Sequence, residues 1–326
     1  MRTVDSARAC LARGRERLEV ADTEGAEHFL RCAIARDSQL AHAYELLGKL
    51  LYRDQRSQEA AAVYLSWLQA IPADPVARHL VAATGGAPAP ERASAGFIAS
   101  VFGRAAAEYD TVLHRLGYGV PQLIFEQSVE VTGRGTALGI LDLGCGTGLC
   151  AERFRGFARR LVGVDLAPEM LDQARRRGCY DELVCAELGY FVQQCTERFD
   201  LIMAADVLCY FGDLTAVFAG VARLLRPNGR FVFSVEELCE PEAPAEESVT
   251  QPPEARSGSV SLLEHGRYAH SVRYVTQTLT RSDLEPCVVH HEMLRFERGA
   301  PVQGLIVTAS STGKDPSLHR VRIRSR

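Results

Sequence analysis

The chain has 326 residues, of which 47% are apolar and 24% charged, with a formal net charge of −4. That is enough apolar material for a core and enough length for two domains. The weak acidity excludes the broad basic field on which non-specific nucleic-acid binding rests. No apolar run is long enough to cross a bilayer, and Arg2, Arg8, Arg13, Arg15 and Arg17 interrupt any signal-like core, so a cytoplasmic protein without a membrane partner is expected.

Residues 1–84 read as paired helices with a period of 34: Gly14 recurs as Gly48, Ala26 as Ala60, and Ala33 meets Trp67. The second copy, with Tyr44, Leu47, Gly48, Leu51, Ala60, Tyr64 and Pro72, resembles a tetratricopeptide repeat, whose small residues let paired helices approach closely. A helix over Pro75–Ala83 is expected to cap it. Two repeats and a cap bury little surface alone, so they imply self-association, a protein partner, or packing on the next domain. Residues 85–93 (GGAPAPERA) read as a linker, and Ser94 to Val131 as helical with a turn near Gly117–Pro121.

From Leu138 short apolar runs alternate with amphipathic stretches: LGILDL, LVGVDL, ELVCA, FDLIMAA and GRFVFSV, with helices over Cys150–Phe157, Glu169–Arg177 and Leu214–Leu225 between them. Strand and helix in alternation mean a doubly wound α/β domain with a parallel sheet, here placed at residues 94–310. The acidic, proline-rich stretch at 238–258 reads as a flexible loop. A helix capped by Ser271 follows, then strands near Val288–Phe296 and Val302–Ala309. The basic end, 311–326, reads as an unpaired, solvated tail. The ten cysteines include no CxxC pair, and their spacings fit neither a zinc site nor a disulfide framework, so reduced core residues and no metal are expected.

Chemistry concentrates in Ile140–Gly148, ILDLGCGTG. A buried strand ends near Asp142, and Gly144, Gly146 and Gly148 permit a sharp turn with close approach to a ligand. Glycines alone do not separate this loop from a dinucleotide site. Three features do: the spacing is GxGxG, an acid precedes the loop and suits an ammonium group, and a second acid, Asp165, ends the next strand 23 residues later, where it can accept from ribose hydroxyls.

These blocks, with VGVDLAPEMLDQAR, FDLIMAADVLCYF and LLRPNGRFVFSVE, resemble the class I methyltransferases that use S-adenosylmethionine (SAM) and release S-adenosylhomocysteine. The flanking VFGRAAAEYDTVLHRLGYGVPQLI and GRYAHSVRYV are similar to bacterial predicted methyltransferases with N-terminal tetratricopeptide repeats. The resemblance implies a Rossmann-like seven-stranded sheet. It implies that Asp142, Gly144, Cys145 and Gly146 line the methionine part of SAM, that Asp165 holds the ribose, and that Leu166 and Met170 pack on adenine. Ala186 and Glu187 would touch the adenine edge, although Cys185 stands where the family more often has Asp. Asp206 and Val207 would flank the sulfonium, and Tyr109 would close over the cofactor. The reaction would be transfer of a methyl group to oxygen or nitrogen of a small-molecule acceptor, or to a protein recruited by the repeats. Should the acceptor need to lose a proton, the candidate groups are His270, expected at the rim, His114, Asp110, Tyr210 and Glu236; Tyr109 is a further catalytic candidate, and Tyr210 could equally be a wall of the acceptor pocket. His290 and His291, on a late strand, read as structural.

Overall fold

A computed structural model describes residues 2–132, 137–238, 259–311 and 322–325. By contacts the chain divides into two compact units, Met1–Pro90 with Leu262–Arg267, and Glu91–Ser261 with Tyr268–Arg326.

The first unit is helical: α1 (Arg2–Glu19), α2 (Thr23–Arg36), α3 (Ala41–Arg53), α4 (Ser57–Ala70) and α5 (Pro75–Ala83). The 34-residue period is visible in its packing. A Cβ placed on Gly14 would stand 3.0 Å from the Leu30 side chain, and one on Gly48 would stand 2.1 Å from the Tyr64 ring. Leu30 and Tyr64 are themselves 34 residues apart. Ala26, Ala60, Ala33 and Trp67 are all buried, so the repeated small positions are where helices meet. Asp74 caps α5 by accepting from the Val76 and Ala77 N–H groups. Leu262–Arg267 joins this unit from a distance in sequence: His79 Nε2 lies 2.8 Å from the Gly266 carbonyl.

The second unit opens with α6 (Ala95–Ala105), α7 (Tyr109–Arg115) and α8 (Val120–Thr132). Alternation follows: β1 (Leu138–Leu143), α9 (Ala151–Phe154), β2 (Ala158–Asp165), α10 (Pro168–Arg177), β3 (Glu182–Cys185), α11 (Leu188–Gln194), β4 (Phe199–Ala204), α12 (Thr215–Leu224) and β5 (Leu225–Glu237). It closes with β6 (Val260–Leu262), β7 (Tyr268–His270), α13 (Val272–Arg281), β8 (Leu284–Glu297), β9 (Ala300–Ser311) and β10 (Arg322–Ser325). Local chemistry sets several ends. Pro168 starts α10 and left-handed Gly178 stops it, while Ser271 accepts from the Tyr274 N–H at the start of α13, as expected.

One sheet runs β10-β8-β9-β5-β4-β1-β2-β3. Strands β3, β2, β1, β4 and β5 are mutually parallel, and β9 is antiparallel to both β5 and β8. Seven of these strands are the expected ones. Three were not expected: β6 and β7, of which β7 pairs in parallel with the end of β5, and β10, which pairs in parallel with β8. Of the basic tail, the described residues Arg322–Ser325 are therefore a paired strand and not a solvated end; the β8 edge offers backbone groups that a short β-compatible segment satisfies. Residues 312–321 and 326, and the acidic stretch from 239 to 258, lie outside the described residues.

Helices cover both faces, which is why the central strands read as unbroken apolar runs. On one face Val120 and Ile124 of α8 and Phe154 of α9 pack with Ile140, Leu161, Leu201 and Val232. On the other, the Phe218 ring of α12 meets Phe231 and Phe233. Strand order reverses between β1 and β4, and the crevice beyond their carboxyl ends is the place a doubly wound sheet offers a ligand. Among the described residues no helix is long and apolar enough to cross a membrane.

Candidate active site

The glycine loop leaves β1 at this crevice. Gly144 has φ +68°, and a Cβ there would stand 2.4 Å from Val207, so the loop passes against the segment after β4 only because no side chain intervenes. Gly146, φ +54°, donates its N–H to Asp165 Oδ2 at 2.9 Å. Two clefts meet on this loop. The larger, of about 790 Å³, is bounded by Asp165, Leu166, Met170, Ala186, Glu187, Asp206 and Val207, with Tyr109 and Tyr210. The smaller, of about 350 Å³, is bounded by Asp142 and Cys145. Gly144, Gly146, Tyr109 and Ala205 border both. All twelve residues expected at a cofactor thus lie on one continuous surface, ten on the larger cleft and two on the smaller.

The two acids differ in their surroundings. Asp142 is 1% exposed and accepts from the Tyr180 hydroxyl at 2.7 Å. Burial pushes its carboxyl up to about 7, against the pull of the Tyr180 hydrogen bond and with a further push from Asp165. Asp165 accepts from the Ala167 N–H at 2.8 Å as well as from Gly146. Burial also raises its pKa, while these backbone N–H groups lower it. A carboxylate has about four acceptor sites, so the backbone bonds fix its orientation and leave sites for further donors.

Of the remaining expected residues, Glu187 lies on the wall, but both its oxygens cap α11, accepting from Gly189 and Tyr190, and Arg92 pairs with it at 2.9 Å. Asp206 has φ +53° and donates its N–H to Ser234 Oγ at 2.8 Å. Its carboxylate stands 3.5 Å from the guanidinium of Arg295, a side chain 1% exposed that also pairs with Glu236 and Glu297.

His270 is a correction. It is fully buried and not on the rim; its Nε2 lies 2.8 Å from the Phe211 carbonyl, and burial lowers its pKa to about 4. A neutral imidazole whose Nε2–H donates to a backbone carbonyl is a structural group, and it borders neither cleft. The sequence placed it after a loop, but β7 carries it into the sheet beside β5. Glu236 is buried against Arg295 and His114 is exposed on α7, so neither reaches the cleft. His290 and His291 lie on β8 as expected, His291 bonded to Glu237 at 2.9 Å.

Sequence reasoning missed three features. Arg92 and Ala93, read as linker, bind the wall: Ala93 donates its N–H to the Tyr210 carbonyl, and Arg92 bridges Phe211. Tyr180 carries no spacing signal; it reaches Asp142 only through the fold. Finally, a clasp holds α7 to the glycine loop. Thr147 Oγ1 donates to Asp110 at 2.6 Å, and Arg177 pairs with Asp110 and Glu152 while its Nε donates to the Thr147 carbonyl at 2.6 Å. Asp110, expected as a candidate base, is thus part of a support for its neighbour Tyr109.

Residues 141–233 match the family described as a methyltransferase domain. The biotin biosynthesis bifunctional protein BioHC of Saccharophagus degradans is 31% identical over 144 residues, 42% of this chain and 24% of that protein. The malonyl-[acyl-carrier protein] O-methyltransferase of Salmonella typhimurium is 28% identical over 176 residues, 54% of this chain and 67% of that protein. Across such curated relatives the match spans from about a quarter to two thirds of their own length. Among solved structures, the Burkholderia thailandensis 1,6-didemethyltoxoflavin-N1-methyltransferase, with bound 1,6-didemethyltoxoflavin and S-adenosylhomocysteine, superimposes with a TM-score of 0.47 at 20% identity, covering 65% of this chain and 86% of that one. Residues 141–233 therefore match a methyltransferase domain, and the relatives that align with this chain include methyltransferases.

Proposed function

We propose that the protein methylates an oxygen or nitrogen of a small-molecule acceptor. The observation that carries this reading is the pair of joined clefts, with a carboxylate at each end of the glycine loop, Asp142 buried and Asp165 part-buried, and an aromatic wall across from it. Asp142 suits the ammonium of the methionine part, and its tyrosine partner leaves acceptor sites for that cation. Asp165, held by two backbone N–H groups, suits the ribose hydroxyls. Leu166 and Met170 offer apolar surface to adenine, beside Ala186 and Glu187.

When bound, SAM supplies a methyl carbon already activated by the sulfonium. The chain's task is to align: Asp206 and Val207 border the transfer point, while Tyr109 and Tyr210 form the wall against which an acceptor is pressed and from which water is excluded. Alignment of this kind supplies on the order of 7–11 kcal/mol. With His270 committed to a backbone carbonyl, no histidine is among the described residues that border the larger cleft.

Calorimetric titration with SAM, S-adenosylhomocysteine and NAD tests the reading. Binding of the first two, none of NAD, and loss of affinity in Asp165→Ala are expected. Absence of binding by both SAM and its product overturns it.

A second reading, a protein methyltransferase acting in the cytoplasm, is favoured by a groove of about 730 Å³ in the helical unit. Tyr44, Leu47 and Val63 line it, with Arg31 and Glu59. The period-34 packing supports a tetratricopeptide-like unit, which suits a protein partner or self-association. Methyl label transferred from SAM into the macromolecular fraction of a cell extract, and not into small molecules, would favour it.

A further inference from the structure

The larger cleft is one-sided in two respects, its aromatic wall and its charge. The Phe102 ring meets Tyr109 and Tyr210 edge to face, with centroids 5.8 and 5.5 Å apart. Phe102 and Tyr109 also pack against the cluster of Ala106, Ala167 and Met170, which ties this wall to the proposed cofactor seat, and Tyr210 stands four residues beyond Asp206. Ile98 and Phe211 extend the apolar surface.

Among the described residues lining the cleft, three carboxylates, Asp165, Glu187 and Asp206, face one guanidinium, Arg92, which is paired with Glu187. Even if Arg92 swung away from that partner, Glu187 would remain beside it. The cation behind the wall, Arg295, is buried and bound to three carboxylates. An anionic acceptor entering here gives up its hydration, gains no uncommitted cation, and approaches like charge. A flat neutral ring gives up little and meets ring faces and edges. A protonated amine suits the charge but has no lone pair to offer. Among the described residues no histidine lines the cleft to take its proton.

We propose that the acceptor is a flat, uncharged aromatic or heteroaromatic ring. It carries the reacting nitrogen or oxygen and is seated against Phe102, Tyr109 and Tyr210, and carboxylate acceptors are turned away. This rests on the methyltransferase reading and narrows it. The acceptor's lone pair forms the new bond to the methyl carbon as the carbon–sulfur bond breaks, its electron pair remaining on sulfur as the thioether of the product. A ring nitrogen takes over the positive charge that sulfur gives up. A phenol's proton passes to solvent at the open side of the cleft as the methyl group is taken up.

The test uses the full chain saturated with S-adenosylhomocysteine and titrated with three probes of similar size: 2-naphthol, 2-naphthoate and 2-decalol. Naphthol is expected to bind at least about tenfold more tightly than naphthoate, which carries the charge, and than decalol, which is neutral but not flat. Tyr210→Leu is expected to shrink the advantage over decalol at least about threefold, with its own S-adenosylhomocysteine titration reporting that the variant is folded. Equal or tighter binding of naphthoate, equal binding of decalol, or no binding of any probe to the loaded protein overturns the inference. Failure of S-adenosylhomocysteine itself to bind is a different result, seen in the first titration, and brings down the methyltransferase reading on which the inference stands.

Discussion

The two ends of the cofactor surface solve one problem in opposite ways. At the end proposed for the ribose, Asp165 is prepared in advance, its oxygens already bonded to the N–H groups of Gly146 and Ala167. At the end proposed for the methionine part, Asp142 is buried with a tyrosine hydroxyl, and its carboxyl is held up to about 7. The first acid is ready to accept hydrogen bonds in any state of the protein. The second is held near its ionisation point and completes its charge when a cation arrives. A site can therefore combine a fixed anchor with a responsive one, and the difference lies in which backbone donors reach each carboxylate.

The comparison is broken most directly at the anchor. Asp165→Ala removes the ribose acceptor and also leaves the Gly146 and Ala167 N–H groups without their acceptor, so SAM affinity is expected to fall by about 100-fold or more, from losses of about 1.5–3 kcal/mol for each hydrogen bond to a charged group. The melting temperature of the free protein should fall with it. Asp142→Asn is the counterpart: about 10- to 100-fold loss of SAM affinity at pH 8, with no fall in the melting temperature of the free protein at that pH. If both variants lose stability alike, the distinction between anchor and responder is gone.

A pH series sharpens it. The folded carboxyl of Asp142 titrates above its unfolded value, so between about pH 4 and pH 7 the unfolded chain ionises while the folded one does not, and the stability of the free protein from this group declines as pH rises through that window. SAM affinity should move the other way, rising by up to about tenfold from pH 6 to pH 7 as the carboxylate forms and levelling above it. Isothermal titration across pH 6–8 reads this, and Asp142→Asn should flatten the curve.

Smaller effects test the frame around both acids. Arg177→Ala undoes the clasp between α7 and the glycine loop. SAM dissociation is expected to quicken about three- to tenfold in stopped-flow displacement, because Tyr109 loses its support while neither Asp142 nor Asp165 is touched. Glu187→Gln should shift the denaturation free energy by no more than about 1 kcal/mol, since it weakens a helix cap and an exposed ion pair.

How much of this was legible in the sequence follows the range of the forces. The glycine loop, both acids and the strand–helix alternation were readable because each is written in a few adjacent residues whose period or spacing has one geometric meaning. The period of 34 was readable for the same reason, and the structure shows Gly14 against Leu30 and Gly48 against Tyr64. What escaped depends on strand pairing. His270 looked like a rim residue because its neighbours read as a loop, and only the pairing of β7 with β5 puts it inside. Tyr180, Arg92 and the Arg177 clasp join residues from separate elements, and no local pattern announces such meetings. The small strands β6 and β10 were missed because three or four residues carry too little alternation to be told from a turn or a tail.

The matching contacts of Gly14 with Leu30 and Gly48 with Tyr64 set the step by which this molecule can grow. In the repeat reading proposed above, a helix pair of 34 residues is the unit that would meet a neighbour through the same small-residue notch. The helical unit is in that sense a ruler with one graduation, and a longer or shorter version of it would leave the chemistry of the second unit written in unchanged residues.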